Sequence, residues 1–216
     1  QFYTNNEAVK AYNNHVESII KRVNTITQRS YFEDTTIMSW ELANEPYAIQ
    51  NKAAYLKWIE NSSQIIKQLA PNQLVTIGGE GNTPFPWFSN NNSLSDYKFE
   101  SLDYITIHIW IQNWEWYNPK KHSNTYNKAL KKAKNYINEH LAIANTLNKP
   151  LVLEEFGISR DNLDYNKEST VNHRNQYFKD IFPKYAQKTK TSYTQTKTRT
   201  VKFYSKDYYF KSPDSI

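Results

Sequence analysis

Residues 37–47 read IMSWELANEPY, a strand-like run that ends abruptly on an amide, a carboxylate and a proline. Side chains of a β-strand alternate between its two faces, so Ile37, Glu41 and Glu45 are expected to share one face. A buried carboxylate is costly unless it is paired or takes part in chemistry. We therefore expect the Glu45 carboxylate to have a partner residue elsewhere in the sequence.

Helix-like and strand-like patterns alternate through most of the chain. Apolar residues recur at helical spacing after Asn5 or Asn6, and either residue can cap a helix. The predicted helices cover about 6–23, 54–69, 123–147 and 169–185, and the predicted strands cover 37–43, 74–77, 104–109 and 151–155. Strands that alternate with helices indicate parallel strands joined by right-handed crossovers.

The carboxyl ends of the four predicted strands carry side chains that suit a catalytic site. In a (β/α)8 barrel the active site lies at this face and draws residues from several strands. A doubly wound sheet also binds ligands at strand ends, but usually through glycine-rich phosphate loops. The stretch GGEG at 78–81 is no such loop, and the sequence contains no P-loop. We therefore predict an α/β fold of the barrel type with these strand-end residues: Asn44, Glu45, Glu80, His108, Trp110, Glu154 and Glu155.

Two glutamates at matching strand ends indicate hydrolysis of a glycosidic bond. Glu45 and Glu155 each come last on one strand face, where a barrel strand opens into its loop. In such hydrolysis one carboxyl group protonates the leaving oxygen, and the other attacks the anomeric carbon or activates water. A single glutamate is more often a surface or ion-paired residue. The prediction therefore rests on the pair.

Four stretches of the chain together carry a family resemblance. They are VNTITQRSYFEDTTIMSWELANEP at 23–46, VTIGGEG at 75–81, TIHIWIQNW at 106–114 and KPLVLEEFG at 149–157. With them the sequence resembles glycoside hydrolase family 5, in particular its endo-β-1,4-mannanase branch, over roughly residues 1–185. The resemblance implies a (β/α)8 barrel and a retaining mechanism, in which the two carboxyl groups lie about 5–5.5 Å apart.

The resemblance also assigns roles to individual residues. Glu45, which follows Asn44, matches the family's acid/base, and Glu155, which precedes a Phe-Gly pair, matches its nucleophile. Asn44 matches the residue that holds the sugar 2-hydroxyl, and His108 matches the strand-end histidine beside the acid/base. Glu154 is the alternative nucleophile, but strand alternation together with the motif favours Glu155.

Aromatic residues near the predicted cleft leave two questions open. The family commonly has a tyrosine where this chain has Trp110, and an indole can donate a hydrogen bond but cannot act as a phenol. Trp114 and Trp116 are predicted either to form a sugar platform or to pack within their loop. Glu80 is expected to line the cleft.

The resemblance places residues 1–185 at about strands four to seven of a barrel, without strands one to three or a recognisable strand eight. A complete barrel has eight strands and typically about 250 residues. Residues 186–216 are rich in Thr and Lys, and we interpret them as a divergent, frame-shifted or disordered basic tail. Because a partial barrel leaves strand edges unpaired, we expect the segment alone to be unstable and inactive.

Composition argues against several other classes of protein. Residues 1–183 hold as many basic as acidic side chains, so the net charge of +6 comes from residues 184–216. The hypothesis of a nucleic-acid-binding module therefore depends on that tail alone. Cysteine is absent, which excludes a disulfide framework and a thiolate metal site. No apolar run approaches about 18 residues, so no membrane span is expected. The five histidines form no H-E-x-x-H pair, and no metal site is predicted.

The leading hypothesis is a retaining endo-β-1,4-mannanase that cuts internal links of mannan, glucomannan or galactomannan and needs no cofactor. A β-1,4-glucanase is the closest alternative because its carboxylate chemistry is the same, and an inactive carbohydrate-binding protein is another. The expected partner is a β-mannan-type polysaccharide or oligosaccharide, and nothing indicates an obligate protein partner. The family implies a secreted or extracytoplasmic location, although the opening QFYTNNEAVK has no charged-then-apolar leader.

Overall fold

The computed structural model describes the backbone of residues 2–186 and the side chains of residues 2–182. Within this range the helices are α1 Asn6–Ile20, α2 Lys52–Leu69, α3 Pro86–Ser89, α4 Ser93–Asp96, α5 His122–Leu147 and α6 Asn172–Ala186. The strands are β1 Ser39–Glu41, β2 Leu74–Thr76, β3 Ile105–Ile109 and β4 Leu151–Phe156. The predicted basic tail over 186–216 lies outside the residues whose side chains are described, and it stays a prediction.

The four strands run parallel in chain order. Strand β1 pairs with β2, and β3 pairs with β4. Between β2 and β3, the Asp103 amide donates to the Val75 carbonyl at 2.8 Å, and the His108 amide donates to the Glu80 carbonyl at 3.0 Å. The carboxyl ends of all four strands therefore lie at one edge, as the sequence predicts for parallel strands.

Helix ends and faces follow from local sequence. The Asn5 side chain accepts a hydrogen bond from the Ala8 amide at 3.1 Å and caps α1, as predicted, and Asn51 caps α2 in the same way. Helices α1 and α2 cover the β1–β2 pair around a first core. A second core lies between α5, α6 and the β3–β4 pair. The first includes Trp58, Ile59, Val75 and Ile77, and the second includes Ile107, Ile109, Tyr136 and Tyr177.

The structure corrects the predicted boundaries of the first strand. The prediction of 37–43 is too long, because β1 covers Ser39–Glu41 alone. The amides of Leu42 and Ala43 still donate to the carbonyls of Thr76 and Ile77, each at 3.1 Å. Glu45 then adopts a left-handed φ of +47°. It lies in a turn beyond the strand, so strand alternation does not determine where its side chain points.

The loop after β4 holds the start of α6, which begins at Asn172, three residues later than predicted. Asp161 is buried, and its carboxylate accepts from the Asn172 and His173 amides at 3.0 Å each. It also accepts from the Thr170 hydroxyl. These first-turn amides have no partner within the helix, so one carboxylate satisfies donors that would otherwise be buried and unpaired. These hydrogen bonds hold the pKa of Asp161 below its usual value, although burial opposes them.

Replacing Asp161 with Ala is expected to lower the free energy of unfolding by about 1–2 kcal/mol, because the first-turn amides lose their acceptor. Urea denaturation followed by circular dichroism measures the change, and Asp161→Asn should lose less because its amide oxygen still accepts. The exposed Glu168→Ala is the control, since its ion pair with Lys167 lies in solvent. An Asp161→Ala protein as stable as the control would contradict the capping role.

Candidate active site

The turn that carries Glu45 is fixed by the loop after β2. The Glu45 amide donates to the Gly78 carbonyl at 2.8 Å, and the Ala48 amide donates to the Ser89 carbonyl at 2.9 Å. The Asn91 side chain donates to the Pro46 carbonyl, also at 2.9 Å. The backbone on both sides of Glu45 is therefore held by hydrogen bonds, and its carboxylate has a fixed direction.

His108 lies at the centre of the site, on β3, and is 1% exposed. Its Nδ1 lies 2.6 Å from Glu45 Oε1 and 3.6 Å from Glu155 Oε2, and its Nε2 lies 3.4 Å from Glu154 Oε2. Burial by itself would lower the pKa of His108. Hydrogen bonds to Glu154 and Glu45 and the charge of Glu155 outweigh it and raise the pKa to about 9. The ring is therefore a cation at neutral pH, with carboxylates at both nitrogens.

Glu155 faces Glu45 across a short gap. One carboxylate oxygen of each residue and a ring nitrogen of His108 all lie within 4.8 Å of one another. Trp110 Nε1 donates to Glu155 Oε2 at 3.0 Å, so the indole supplies a hydrogen bond where the family commonly has a tyrosine. A separation this short suits direct attack by a carboxylate, because activation of water needs about 6.5–9.5 Å between the groups.

A bulge in the β3–β4 ladder brings Glu154 into the same site. Ile107 pairs with Leu153 and His108 pairs with Glu155, which leaves Glu154 as the extra residue. The predicted alternation, with Glu154 and Glu155 on opposite faces, is therefore wrong at this point. Both side chains approach the ring of His108, so geometry alone does not remove Glu154 from the site.

Glu41 is a site residue that the sequence analysis did not assign. Its side chain is exposed as a whole, but partial burial of the carboxyl group, a hydrogen bond to Glu154 and the charge of Glu154 raise its pKa to about 7. The sequence did contain a signal, because Glu41 shares the predicted face of Ile37 and Glu45. An acid on the same strand face as Glu45 is a signal that predicts a second carboxyl group in the site.

Glu80 lies beside Glu45 in the same site, and it is 6% exposed. Burial and the charge of Glu45 raise its pKa to about 7, although a hydrogen bond from Tyr47 opposes the shift. Its backbone carbonyl accepts from both the His108 amide and the Tyr136 hydroxyl. Tyr47, two residues after Glu45, is a second site residue that the sequence analysis missed.

The remaining predicted site residues divide between the rim and the core. Asn44 lies exposed beside Glu45, where a sugar hydroxyl can reach it. Trp114 is 7% exposed and packs on Trp116 and Tyr136, with ring centroids 4.9 and 5.2 Å away. Of the two alternatives for Trp114, the structure places it in loop packing, and its faces have little area left for a sugar. Trp116 is half-buried under the Lys132 amino group.

The residues at this site have the atoms to bind a cation as well as to hydrolyse a sugar. Among the described residues, Glu45, His108 and Glu155 form the one group of acidic and histidine side chains close enough to hold a metal ion. The ring of His108 is a poor ligand while it is protonated. Two-carboxylate hydrolysis needs no metal. No helix within the described part of the chain is both long and apolar enough to cross a membrane.

Comparison with known proteins identifies the family. A model of family 5 β-mannosidase-like glycoside hydrolases matches residues 1–205. The chain belongs to glycoside hydrolase family 5. Solved members of this family imply a (β/α)8 barrel, of which the described chain is a partial segment. The matched range continues past residue 185, where the sequence analysis ended the barrel segment.

Relatives within this family are named mannosidases and mannanases. A mannan endo-1,4-β-mannosidase of Solanum lycopersicum is 31% identical over an alignment of 191 residues, and the match covers 84% of this chain and 45% of that protein. A mannosidase of the family from Rhizomucor miehei superposes with a TM-score of 0.72 at 30% identity, covering 83% of this chain and 43% of that one. An endo-1,4-β-D-mannanase from Thermotoga petrophila superposes with a TM-score of 0.62 at 28% identity, covering 83% of this chain and 52% of that one. The chain thus spans about half the length of the relatives it matches.

Proposed function

We propose that the gene product carrying this chain is a retaining endo-β-1,4-mannanase. The observation that carries the proposal is the pair Glu45 and Glu155, with carboxylate oxygens within 4.8 Å and with His108 between them. The named activity of the relatives supplies the substrate class. A related Rhizomucor miehei enzyme has been solved with mannosyl-fructose, which supports a mannosyl unit at the site.

The proposed reaction has two steps. In the first, a Glu155 oxygen bonds to the anomeric carbon while the bond to the leaving oxygen breaks, and Glu45 gives its proton to that oxygen. In the second, Glu45 takes a proton from water as the water oxygen displaces Glu155 from the same carbon. Asn44 holds the sugar 2-hydroxyl, and the hydrogen bond from Trp110 orients Glu155.

The substrate and the location of the gene product are part of the proposal. A β-1,4-glucanase remains the second candidate, because the two carboxylates serve either sugar equally. Initial rates on mannan and on carboxymethyl-cellulose separate the two, and a faster rate on carboxymethyl-cellulose would overturn the mannanase proposal.

We further propose that β1–β4 are strands four to seven of the barrel, and that the protein is exported.

Exposed aromatic residues beside the site supply a prediction about substrate affinity. Trp87, on α3, is 77% exposed. Tyr47 and Phe88 lie edge to face with ring centroids 5.1 Å apart, so the loops after β1 and β2 form one aromatic rim. Aromatic faces pack well against the apolar faces of sugars. The rim is therefore placed to contact the polysaccharide beyond the cleaved bond.

Replacing Trp87 with Ala is expected to raise KM for mannohexaose roughly two- to ten-fold, because one stacking contact is lost. The value of kcat should change little, since Trp87 does not touch the two carboxylates. Phe182→Ala on α6 is the control, an exposed aromatic residue whose loss should leave KM alone. An unchanged KM in Trp87→Ala would show that the rim does not bind substrate.

A further inference from the structure

Besides the catalytic pair, the described part of the site contains three acids: Glu80, which accepts a hydrogen bond from Tyr47, and Glu41 and Glu154. Glu45 and Glu155 account for proton transfer and attack, yet Glu154 and Glu41 lie beside them. Glu154 reaches the ring of His108 on the side opposite Glu45. Two further acids next to the catalytic pair add negative charge to a crowded site, which costs free energy unless they have a task.

The bulge explains how Glu154 comes to be placed there. Without the extra residue, strict alternation would turn one of the two adjacent glutamates away from His108. With it, Glu154 Oε2 lies 3.4 Å from His108 Nε2 while Glu155 Oε2 keeps its hydrogen bond from Trp110. The two neighbours on β4 therefore hold different partners, one the histidine and the other the indole.

We propose that Glu154, anchored by Glu41, is a positioning residue that orients the His108 ring toward the acid/base Glu45. The proposal rests on the proposed function for the role of Glu45. Glu154 accepts from His108 Nε2–H on one side, and the Glu41 carboxyl group forms a hydrogen bond with it on the other. Its position fixes the rotation of the ring, so that Nδ1–H points at Glu45 Oε1.

Gly78 leaves room for the Glu41 carboxyl group in this arrangement. A Cβ atom at Gly78 would lie 2.9 Å from Glu41 Oε2. The same glycine accepts the Glu45 amide hydrogen bond through its carbonyl. The loop after β2 therefore passes close to both ends of one hydrogen-bonded row, which is formed by Glu41, Glu154, His108 and Glu45.

The titration of His108 reports on this row without any need for turnover. The acids that face or influence the ring are Glu45 and Glu41 around β1, Glu80 after β2, and Glu154 and Glu155 on β4. Because folding raises the pKa of His108, the protonated ring stabilises the folded protein fully below about pH 6.5. This stabilisation is lost as the pH rises through about 9. Loss of the charge at Glu154 should bring the titration of the ring back toward its usual value.

The test follows the ring nitrogens of ¹⁵N-histidine-labelled protein by NMR from about pH 5 to 10. In Glu154→Gln the pKa of His108 is expected to fall by roughly one to two units, and in Glu41→Gln by less, because Glu41 acts through Glu154. Glu154→Asp keeps the charge and should recover part of the shift. The exposed Glu33→Gln is the control, and its His108 should titrate as in the unaltered protein.

Two results would overturn the proposal. One is a His108 titration in Glu154→Gln that matches the unaltered protein while circular dichroism shows the fold intact. The other is a fall in the pKa of His108 in Glu33→Gln equal to the fall in Glu154→Gln, which would mean general unfolding. If Glu154→Gln unfolds, the same NMR comparison in Glu154→Asp and Glu41→Gln decides. None of these outcomes requires activity, so failure here leaves the proposed function to its own assay.

Kinetics of the gene product give a second readout that a purely structural role would not move. If Glu154 acts through His108 on Glu45, Glu154→Gln should lower kcat roughly ten-fold with little change in KM. It should also move the alkaline limb of the pH profile to lower pH, because the ring loses its proton earlier. A change in KM alone would place Glu154 against the sugar and contradict the positioning role.

Discussion

Replacing Glu155 with Gln is expected to lower kcat on mannan by roughly 10⁴-fold or more, because the amide cannot form the covalent intermediate. Binding of mannohexaose should persist, since Gln has nearly the same shape and still accepts the hydrogen bond from Trp110. The measurement is initial rate together with calorimetric binding. Glu154→Gln is the sharpest comparison, because the adjacent residue approaches the same ring and should lose far less activity.

The comparison of adjacent glutamates separates chemistry from fold. If Glu154→Gln were the inactive variant and Glu155→Gln kept turnover, the assignment of the nucleophile would be reversed. The exposed Glu33→Gln controls for the loss of one negative charge elsewhere in the chain. Both carboxylates lie within 3.6 Å of a ring nitrogen of His108, so the two variants remove charge from nearly the same place.

Replacing Gly78 with Ala is expected to lower the free energy of unfolding by roughly 2–5 kcal/mol. Gly78 has a φ of +80°, which side chains rarely adopt, and its added Cβ would lie 2.3 Å from the Ala43 carbonyl oxygen. That atom belongs to the backbone, so it cannot move aside without displacing the turn that carries Glu45. Stability measured by urea denaturation and activity on mannan should therefore fall together.

Gly157→Ala is the matched control for this substitution. A Cβ there would meet the ring of Trp110 at 3.4 Å, an ordinary contact, and its stability should change by less than about 1 kcal/mol. A Gly78→Ala protein with the stability of Gly157→Ala would show that the turn relaxes freely. In that case the precise placement of Glu45 and Glu41 would not depend on this glycine.

The helices and the order of strands could be predicted because they depend on local patterns. The cap at Asn5 and the apolar spacing that follows it specify α1 without reference to distant residues. Parallel pairing follows from the alternation of elements. The sequence could bring Glu45 and Glu155 together as a candidate pair because strand ends converge at one edge, and the family resemblance then supplied the roles proposed for them.

The details that escaped prediction depend on contacts between distant segments. The bulge opposite His108 is set by how β3 meets β4, and it decides that Glu154 joins the site. The left-handed turn at Glu45 depends on the Gly78 carbonyl, which lies beyond a whole helix in sequence. The burial of Trp114 follows from packing on α5. None of these leaves a periodic signal in the sequence.

The most direct test of the two-carboxylate account is to trap the glycosyl intermediate. The gene product would be treated with a 2-deoxy-2-fluoro-β-mannosyl fluoride, whose fluorine slows the second step, and its peptides would be analysed by mass spectrometry. The account predicts one fluoromannosyl ester, located on Glu155. An ester on Glu154, or active enzyme that forms no ester and releases an inverted sugar, would contradict it.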